Sequence, residues 1–477
     1  MTMKVKLWLF IWIVGIMPLK LTAQNNEKQF PASAVKADLA YMYDQMEKSH
    51  YNLYAYVDKT AYKATFNKIL QSVPQDTISL LDATKLFQRV AAIANVGHNE
   101  VDFPAPSYIN YLQQGGTVFP LELALEDGKA YVSRLYTDNP NVKLGEQVLS
   151  IDNTPIKQLQ QKIHPYLSAE RPYFKDVKLE LWSFPRYYWS VFGEREAFNV
   201  KVKTQDGQVK TYTIKAIPAL DYETTRTDVV LNEDRSYKFN NGVAYLDPGP
   251  FSSSAEKGEE KFKAFIDSAF TDINAKNSRT LIVDLRNNSG GHNAFSDYLI
   301  AYFADKPFKW YSAFKLKTSE LLKKQTRQTT PGLELDDYAQ AILNHQNGEI
   351  FDFSFPVQEP MPEQKCFKGK VYVLVNRHTY SMAAVSAALI QDYGFAELVG
   401  EETGDVPTLY ASQFSFPLPE TGVIVKVPKG YIIRPNGDTQ LRGVVPDHKV
   451  RDHLLDEQDE ILNYTLQKLI QPTQSRH

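Results

Sequence analysis

Two almost purely apolar segments in the second half of the chain constrain its fold most strongly. They are TLIVDL (280–285) and VYVLV (371–375), and each is followed by a polar turn and a helix-like pattern. Strands of this kind are usually buried on both faces, as in a sheet that helices cover on both sides. Strand-like segments at 242–249 and 396–402 also alternate with helix-like ones. The sequence therefore predicts an α/β core, which we place at residues 221–460.

Other periodicities divide the rest of the chain. Residues 24–112 carry apolar residues mainly at three- and four-residue spacing, which predicts an N-terminal helical segment. Residues 113–220 contain alternating strands around two Asp-Gly pairs, which are hairpin signals, and predict a β-rich domain. Residues 310–365 lack the alternation of the core and are interpreted as an excursion from it. Residues 461–477 are interpreted as a C-terminal tail.

The first residues have the pattern of a secretory signal. Two lysines precede an apolar run at 7–19, and small residues surround Ala23. The run is short for a membrane span, so we expect a signal peptide over residues 1–23 that is removed by cleavage. An uncleaved anchor is the alternative. After cleavage the protein is expected to be periplasmic or secreted, without stable insertion in a membrane. The sole cysteine, Cys366, allows no intrachain disulfide.

Bulk composition argues against several classes of protein. The chain has 477 residues, of which 43% are hydrophobic and 23% charged, as in ordinary soluble proteins. Its formal net charge of -3 gives no reason to expect a nucleic acid or an anionic membrane as a partner. There is no His-Glu-x-x-His motif and no cysteine cluster, so we expect no metal, and we expect no organic cofactor. The oligomeric state stays open.

Ser381, between the second apolar strand and the next helix-like run, has two interpretations. Serine is a preferred N-cap, because its hydroxyl accepts from an amide of the first helical turn. It is alternatively a nucleophile at the carboxyl end of a strand, where ligand sites of α/β sheets form. Gly290 and Gly291 follow the other apolar strand. If the two strands are neighbours, a glycine amide and the Met382 amide converge on one oxygen as an oxyanion hole. A plain turn is the alternative for the glycine pair.

A serine nucleophile needs a base, which is most often histidine and sometimes lysine. Lysine is a weak candidate here, because the first lysine after Ser381 is Lys426. Three of the nine histidines lie near the segments that carry chemistry. His98 follows a glycine where the N-terminal helices end, His292 adjoins the glycine pair, and His378 lies just before Ser381. Taken singly, each is more often a structural histidine than a base.

At these residues the sequence resembles the tail-specific, or C-terminal-processing, family of serine peptidases. It is most similar to the branch that includes the core domain of the tricorn protease. The resemblance runs from about residue 35 to residue 450, and its motifs follow in order. They are SHYNLYAY with AAIANVGHNEV, the PDZ-like LGEQVLSIDNTPI, TLIVDLRNNSGG, VYVLVNRHTYSMAAVSAAL, ELVGEETGD and RGVVPD.

The resemblance implies a role for each matching residue. Ser381 is then the nucleophile and His98 the base, ahead of the other two histidines. Gly290 or Gly291 forms the oxyanion hole together with the Met382 amide. The resemblance also implies a spiral core of the type shared with crotonases and Clp peptidases. The β-rich domain is then PDZ-like, the substrate is a polypeptide, and no cofactor is needed.

Two departures from the family pattern bear on activity. The usual Asp-Gly/Ser-His-Thr motif reads Val96-Gly97-His98-Asn99. The tricorn-like branch has a glutamate before Gly-Val-x-Pro-Asp, and Gln440 stands there in this chain. Its amide oxygen can accept a hydrogen bond from the imidazole but cannot stabilise an imidazolium as a carboxylate does. Three carboxylates are candidates to replace the missing one: Glu100, Glu402 and Asp405.

We therefore expect an extracytoplasmic serine endopeptidase that cleaves unfolded or C-terminally exposed polypeptides. The alternative is a catalytically idle protein of the same fold that holds peptides or apolar ligands, which the two departures favour. A third hypothesis is an acyl hydrolase that acts on small esters.

Overall fold

The computed structural model describes residues 27–226, 234–329, 335–452 and 458–470. The predicted signal peptide, residues 1–23, lies outside these ranges. Within them no helix is long and apolar enough to cross a membrane.

The N-terminal segment is mainly helical. Its elements are β1 (Gln29–Pro31), α1 (Ala32–Ser49), α2 (Lys59–Gln71), β2 (Thr77–Ser79), α3 (Leu80–Ala92), β3 (Glu100–Val101) and α4 (Ala105–Gln113). In α1 the fully buried Val35, Leu39, Met42 and Met46 recur at the spacing that lines one face of a helix. Strands β1 and β2 pair antiparallel with each other. Helix α1 contacts the core at residues 424–433 and 320–329.

The predicted β-rich domain contains an antiparallel sheet. The strands of the domain are β4 (Thr117–Val118), β5 (Leu121–Glu126), β6 (Lys129–Leu135), β7 (Gln147–Ile151), β8 (Thr154–Pro155), β9 (Ala197–Lys203), β10 (Val209–Lys215) and β11 (Ile217–Pro218), of which β4 and β11 pair with each other outside this sheet. Its helices are α5 (Ile156–Ile163), α6 (Pro172–Trp182), α7 (Phe184–Phe192) and α8 (Ala219–Thr225). The strand order is β10-β9-β7-β6-β5, with β8 on β7. At the β5–β6 turn Asp127 and Gly128 have φ angles of 52° and 73°, as a tight hairpin requires.

Helix α6 belongs to this stretch of sequence but packs on the core. Its buried Phe174, Val177 and Leu181 form one hydrophobic cluster with Tyr380, the residue before Ser381. The segment between β8 and β9 therefore reaches the predicted site, although sequence alone placed it in a separate domain.

The α/β core predicted from the two apolar strands is confirmed. Its strands are β12 (Ser236–Asn240), β13 (Val243–Asp247), β14 (Thr280–Asp284), β15 (Ala313–Lys317), β16 (Ile350–Asp352), β17 (Lys370–Val375), β18 (Glu397–Gly400), β19 (Leu409–Pro417), β20 (Ile424–Ile433) and β21 (His448–Lys449). Its helices are α9 (Gly258–Ala275), α10 (Asn293–Ala301), α11 (Glu320–Thr329), α12 (Asp337–Asn344), α13 (Met382–Tyr393) and α14 (Glu460–Tyr464).

The main sheet has the order β12-β13-β14-β17-β18-β21. All its pairs are parallel except β12 with β13. The two apolar strands, β14 and β17, are direct neighbours. Their carboxyl ends therefore bring the glycine pair and Ser381 to one edge of the sheet. This adjacency of the two strands is what an oxyanion hole formed by a glycine amide and the Met382 amide requires.

A second, antiparallel sheet has the order β16-β15-β20-β19, and β3 pairs with β20. Strands β15 and β16 come from residues 310–365, so this stretch is in part a component of a sheet and not only an excursion. The pairing of β3 with β20 brings the end of the N-terminal segment against the core. His98 lies just before β3, so this pairing also places His98 against the core.

The described part of the C-terminal tail packs on the main sheet. Helix α14 continues as a π-helical turn over Thr465–Ile470. The fully buried Ile461 joins Ile282 of β14 and Leu374 of β17 in one hydrophobic cluster. These residues cover the outer face of the central strands.

Candidate active site

Ser381 occupies a strained turn between β17 and α13. Its backbone angles are φ 51° and ψ -124°, a conformation that residues other than glycine rarely adopt. Its hydroxyl makes no capping hydrogen bond to the helix. Its amide donates to Oδ2 of Asp405 at 2.9 Å, and the preceding Tyr380 amide donates to the Asn288 carbonyl at 2.9 Å. The hydrogen bond that the N-cap interpretation of this serine requires is therefore not formed.

His98 faces the serine. Its Nε2 lies 3.2 Å from the Ser381 Oγ, although the two residues are far apart in sequence. The imidazole is 4% exposed and lies parallel to the Tyr380 ring, with 5.4 Å between ring centroids. Gln413 Nε2 holds the His98 carbonyl at 2.7 Å. Burial, with the nearby Lys178 ammonium, lowers the pKa of His98 to about 4, so the ring is neutral at neutral pH and able to accept a proton.

The other two candidate histidines lie elsewhere. His378 is 2.7 Å through Nε2 from the Glu180 carboxylate and 3.1 Å through Nδ1 from Asn287 Oδ1. His292 is exposed at the start of α10. Among the described residues, His98 is the histidine in contact with the serine hydroxyl.

Lys426 and Lys429, the first lysines after Ser381, bind other residues. Lys426 Nζ pairs with Asp102 at 2.7 Å. Lys429 Nζ donates to the Ser412 carbonyl at 2.9 Å, and burial lowers its pKa to about 8.

The glycine pair abuts the serine turn. Gly290 has a φ of 78°, and a Cβ added there would lie 2.6 Å from the Met382 nitrogen. The Gly290 amide already donates to Asn288 Oδ1 at 2.9 Å. The amides of Gly291 and Met382 donate to no other described residue. Of the two glycines left open by the sequence, Gly291 is therefore the one whose amide is available with that of Met382.

Asp405 is the carboxylate beside the serine. It is fully buried, and its Oδ1 accepts from the Val406 amide at 2.9 Å. The Oδ2 that holds the Ser381 amide is 3.9 Å from His98 Nε2. Burial, and then the charge of Glu170, raises the pKa of Asp405 to about 7. Asp405 thus lies on the same side of the ring as the serine and not at Nδ1.

Two of the residues predicted to orient the histidine, Gln440 and Glu402, do not touch it. Gln440 is exposed, and its backbone amide donates to Asp438. Glu402 Oε1 accepts from Arg171 Nη1 at 2.6 Å and from the Gly443 amide at 2.9 Å. The Nδ1 atom of His98 is buried without a hydrogen-bond partner among the described residues.

Two charged residues of the site were missed by sequence reasoning. Lys178 of α6 is buried and donates to the Gly97 carbonyl at 2.5 Å and to Glu100 at 3.0 Å. Glu170 Oε1 accepts from the Gly97 amide at 2.7 Å. Both come from an aromatic-rich stretch without a recognisable motif, and only their packing against Gly97 reveals them.

A buried charge network ties the serine turn to its neighbours. Arg377, four residues before Ser381, pairs with Glu126 at the end of β5. It also lies 3.5 Å from Glu180 of α6 and 3.0 Å from Glu401. A cavity of about 340 Å³ lies beside this network and is lined in part by these residues. Within the described residues no cluster of three or more His, Cys, Asp or Glu side chains could hold a metal.

Comparison with known proteins finds a family match over the core. Residues 242–450, which include β13 to β21 and Ser381, match the model of peptidase family S41. No curated protein matches the sequence significantly.

Solved structures of mature CPAF share the fold, and another solved protease is similar over much of the chain. Mature CPAF complexed with lactacystin aligns with a TM-score of 0.58 at 13% identity, over 88% of this chain and 93% of that one. Mature CPAF aligns with a TM-score of 0.56 at 14% identity, over 88% and 92%. A photosystem II D1 C-terminal processing protease aligns with a TM-score of 0.46 at 15% identity, over 88% and 93%. The core of the chain, which holds this site, therefore matches peptidase family S41.

Proposed function

We propose that the protein is an extracytoplasmic serine endopeptidase in which Ser381 is the nucleophile and His98 the general base. One observation carries this proposal: His98 Nε2 lies 3.2 Å from Ser381 Oγ, at a strained strand–helix turn. A nucleophile and its base are expected within hydrogen-bond reach of each other. The neutral state of His98 at neutral pH suits it to the role.

The proposed reaction is acyl transfer through the serine. Ser381 Oγ attacks the carbonyl carbon of a peptide bond while its proton passes to His98 Nε2. The oxygen that becomes negative is bound by the Gly291 and Met382 amides. His98 then gives the proton to the leaving amine, and the C–N bond breaks. Water, deprotonated by the same imidazole, then attacks the acyl carbon, the ester bond to Ser381 Oγ breaks, and His98 returns the proton to Oγ.

The proposed substrate is an unfolded or C-terminally exposed polypeptide. We assign its capture to the β-rich domain, which resembles a PDZ domain in sequence and has β5 at the edge of its sheet. An edge strand accepts an extended peptide as a further strand. Five of the six residues of β5 are buried, and the Leu125 amide donates to Glu180. Capture along β5 therefore requires that α6 release this amide.

The proposed location, periplasmic or secreted, rests on the predicted signal peptide over residues 1–23. N-terminal sequencing of the exported protein is expected to begin near Gln24. A chain that starts at Met1 would contradict this.

A catalytically idle binding protein of the same fold is the second candidate. It is favoured by the exposed Gln440 in place of a glutamate and by the unpartnered Nδ1 of His98. A third, an ester hydrolase, shares the acyl chemistry and is separated from the first by comparing peptide and ester turnover.

Covalent labelling tests the proposal directly. A fluorophosphonate probe should modify Ser381 in the native protein, and neither Ser381→Ala nor His98→Ala should be labelled appreciably. For peptide hydrolysis each single substitution should remove nearly all activity, and the double variant should lose little more, because the two groups act as one unit. A folded native protein that the probe does not label would favour the idle binding protein.

A further inference from the structure

Lys178 of α6 is a buried cation that contacts the residue before each member of the proposed catalytic pair. Its Nζ donates to the carbonyl of Gly97, the residue before His98, at 2.5 Å. The same ammonium lies 5.7 Å from the centre of the ring of Tyr380, the residue before Ser381. One cation therefore connects the backbone of the base segment to the turn that carries the nucleophile.

Aromatic rings surround this ammonium. The Phe174 ring lies 5.2 Å from Nζ, and the Tyr380 ring is parallel to the His98 imidazole with 5.4 Å between ring centroids. Aromatic faces attract a cation but do not screen its charge as water does. The positive charge of Lys178 therefore acts strongly on a neighbouring ring that becomes positive when it accepts a proton. Its effect is to disfavour the imidazolium.

Charged groups from several segments surround the ammonium and the imidazole. They are Glu100 of β3, Asp102 after it, Glu170 before α6, Lys175 of α6, Asp405 after β18 and Lys426 of β20. Glu100 is the ion-pair partner of Lys178, at 3.0 Å from Nζ. After burial, Lys178 has the largest influence on the His98 pKa and lowers it, Glu100 opposes it, and Lys426 adds a smaller lowering.

We propose that Lys178 is a positioning residue that extends the activity of the proposed peptidase into acidic surroundings, by fixing the His98 segment at the serine turn and by keeping the imidazole in its neutral, proton-accepting form. This rests on the proposed function of Ser381 and His98. Burial, and then the charge of Lys178, lowers the pKa of His98 to about 4. The base therefore stays available below the pH at which an ordinary histidine is protonated, and the acidic limb of activity lies correspondingly lower.

The test compares Lys178→Met with the native protein over its full chain. Methionine keeps an unbranched apolar side chain but removes the charge. The His98 pKa, followed by NMR with isotope-labelled histidine, should rise by about one unit. The acidic limb of fluorophosphonate labelling of Ser381 should move to higher pH by the same amount. Lys175→Met is the matched control, because Lys175 lies on the same helix but donates to the His164 carbonyl at 3.3 Å, and it should leave the His98 pKa in place.

Glu100→Gln separates the effect of charge from that of packing. It keeps an acceptor for the ammonium but removes the negative charge that opposes Lys178, so the His98 pKa should fall. If Lys178→Met fails to fold because Glu100 loses its partner, the double variant Lys178→Met/Glu100→Gln takes its place. The double variant should have a His98 pKa about one unit above that of Glu100→Gln, and equal values would overturn the proposal.

An unchanged His98 pKa in Lys178→Met would also overturn the proposal, even if labelling slows, because the loss of labelling would then be structural. A native protein that the probe does not label would refute the proposed peptidase. The NMR comparison still decides whether Lys178 acts on the ring, so the two failures are distinguishable.

Discussion

The backbone of Ser381 is held in a conformation that its side chain disfavours. A residue other than glycine at such angles costs about 1–3 kcal/mol, and the surrounding structure must supply that free energy. Here the Asp405 carboxylate accepts from the Ser381 amide, and the Asn288 carbonyl accepts from the Tyr380 amide. The strain turns the hydroxyl away from the helix and towards His98.

Replacing Ser381 should separate stability from activity. Ser381→Ala and Ser381→Gly should both be inactive, since each lacks the hydroxyl. Glycine adopts a positive φ without strain, so Ser381→Gly should be more stable than Ser381→Ala by about 1 kcal/mol in the free energy of unfolding. Urea unfolding of the two variants measures the difference. Equal stability, or a more stable alanine variant, would show that the turn carries no strain.

His50 is a second buried histidine, and it should make the fold sensitive to acid. Burial, with the nearby Lys317, lowers the pKa of His50 to about 3. The unfolded chain therefore binds a proton that the folded chain does not, and stability falls as the pH drops below the ordinary histidine value.

Substitution of His50 isolates this effect. His50→Asn keeps an acceptor near the Asn52 amide, which donates to His50 Nδ1 at 3.0 Å. The variant should be less stable than native at pH 7, and the gap should narrow by about 2 kcal/mol at pH 5. Unfolding free energies at the two pH values give the comparison, and parallel losses in both proteins would contradict it.

At the scale of elements, the loop between β14 and α10 lies against the start of α13. A side chain on Gly290 would collide with the Met382 nitrogen, whose amide is half of the proposed oxyanion hole. Gly290→Ala should therefore slow fluorophosphonate labelling of Ser381 on the order of a hundredfold or more.

The β5–β6 hairpin offers a matched control for this substitution. Gly128 has a similar φ of 73°, with no heavy atom within 4 Å of an added Cβ. Gly128→Ala thus introduces backbone strain without a collision at the site. It should lower stability modestly and leave labelling unchanged. Similar labelling losses in both variants would show that strain, and not the collision, is responsible.

Local pattern predicted the elements better than it predicted how they meet. Strands β14 and β17 are evident in the sequence, because a strand that is buried must consist largely of apolar residues. The glycine pair and the serine are then found directly after these two strands. Glu170 could not be predicted, since its contact with Gly97 arises only through tertiary packing. For the same reason the sequence could name Asp405 and Glu402 as candidates but could not tell which lies beside the serine.

At the scale of the whole molecule, Arg377 joins the β-rich domain to the core. It is largely buried and is surrounded by carboxylates of β5, α6 and the segment after β18. Removing one partner of a buried ion pair leaves the others without compensation. Arg377→Met should therefore lower the free energy of unfolding by about 3–5 kcal/mol.

Arg451 is the natural control, because it also pairs with Glu126 but is 54% exposed. Exposed ion pairs contribute less than about 1 kcal/mol, so Arg451→Met should be nearly neutral. Chemical denaturation of the two variants compares them directly. Equal effects would mean that the junction does not depend on the buried arginine.

The long separation between Ser381 and His98 has a consequence for the synthesis of the protein. The two residues are 283 positions apart, and the serine amide is held by Asp405, 24 positions further on. A chain growing on the ribosome therefore carries the histidine long before it carries the serine or the anchor of its turn. Under the proposed mechanism, hydrolysis begins only after residue 405 has been synthesised and these distant segments have met. Under the same mechanism, a polypeptide that stops before Ser381 lacks the nucleophile and cannot cleave its neighbours.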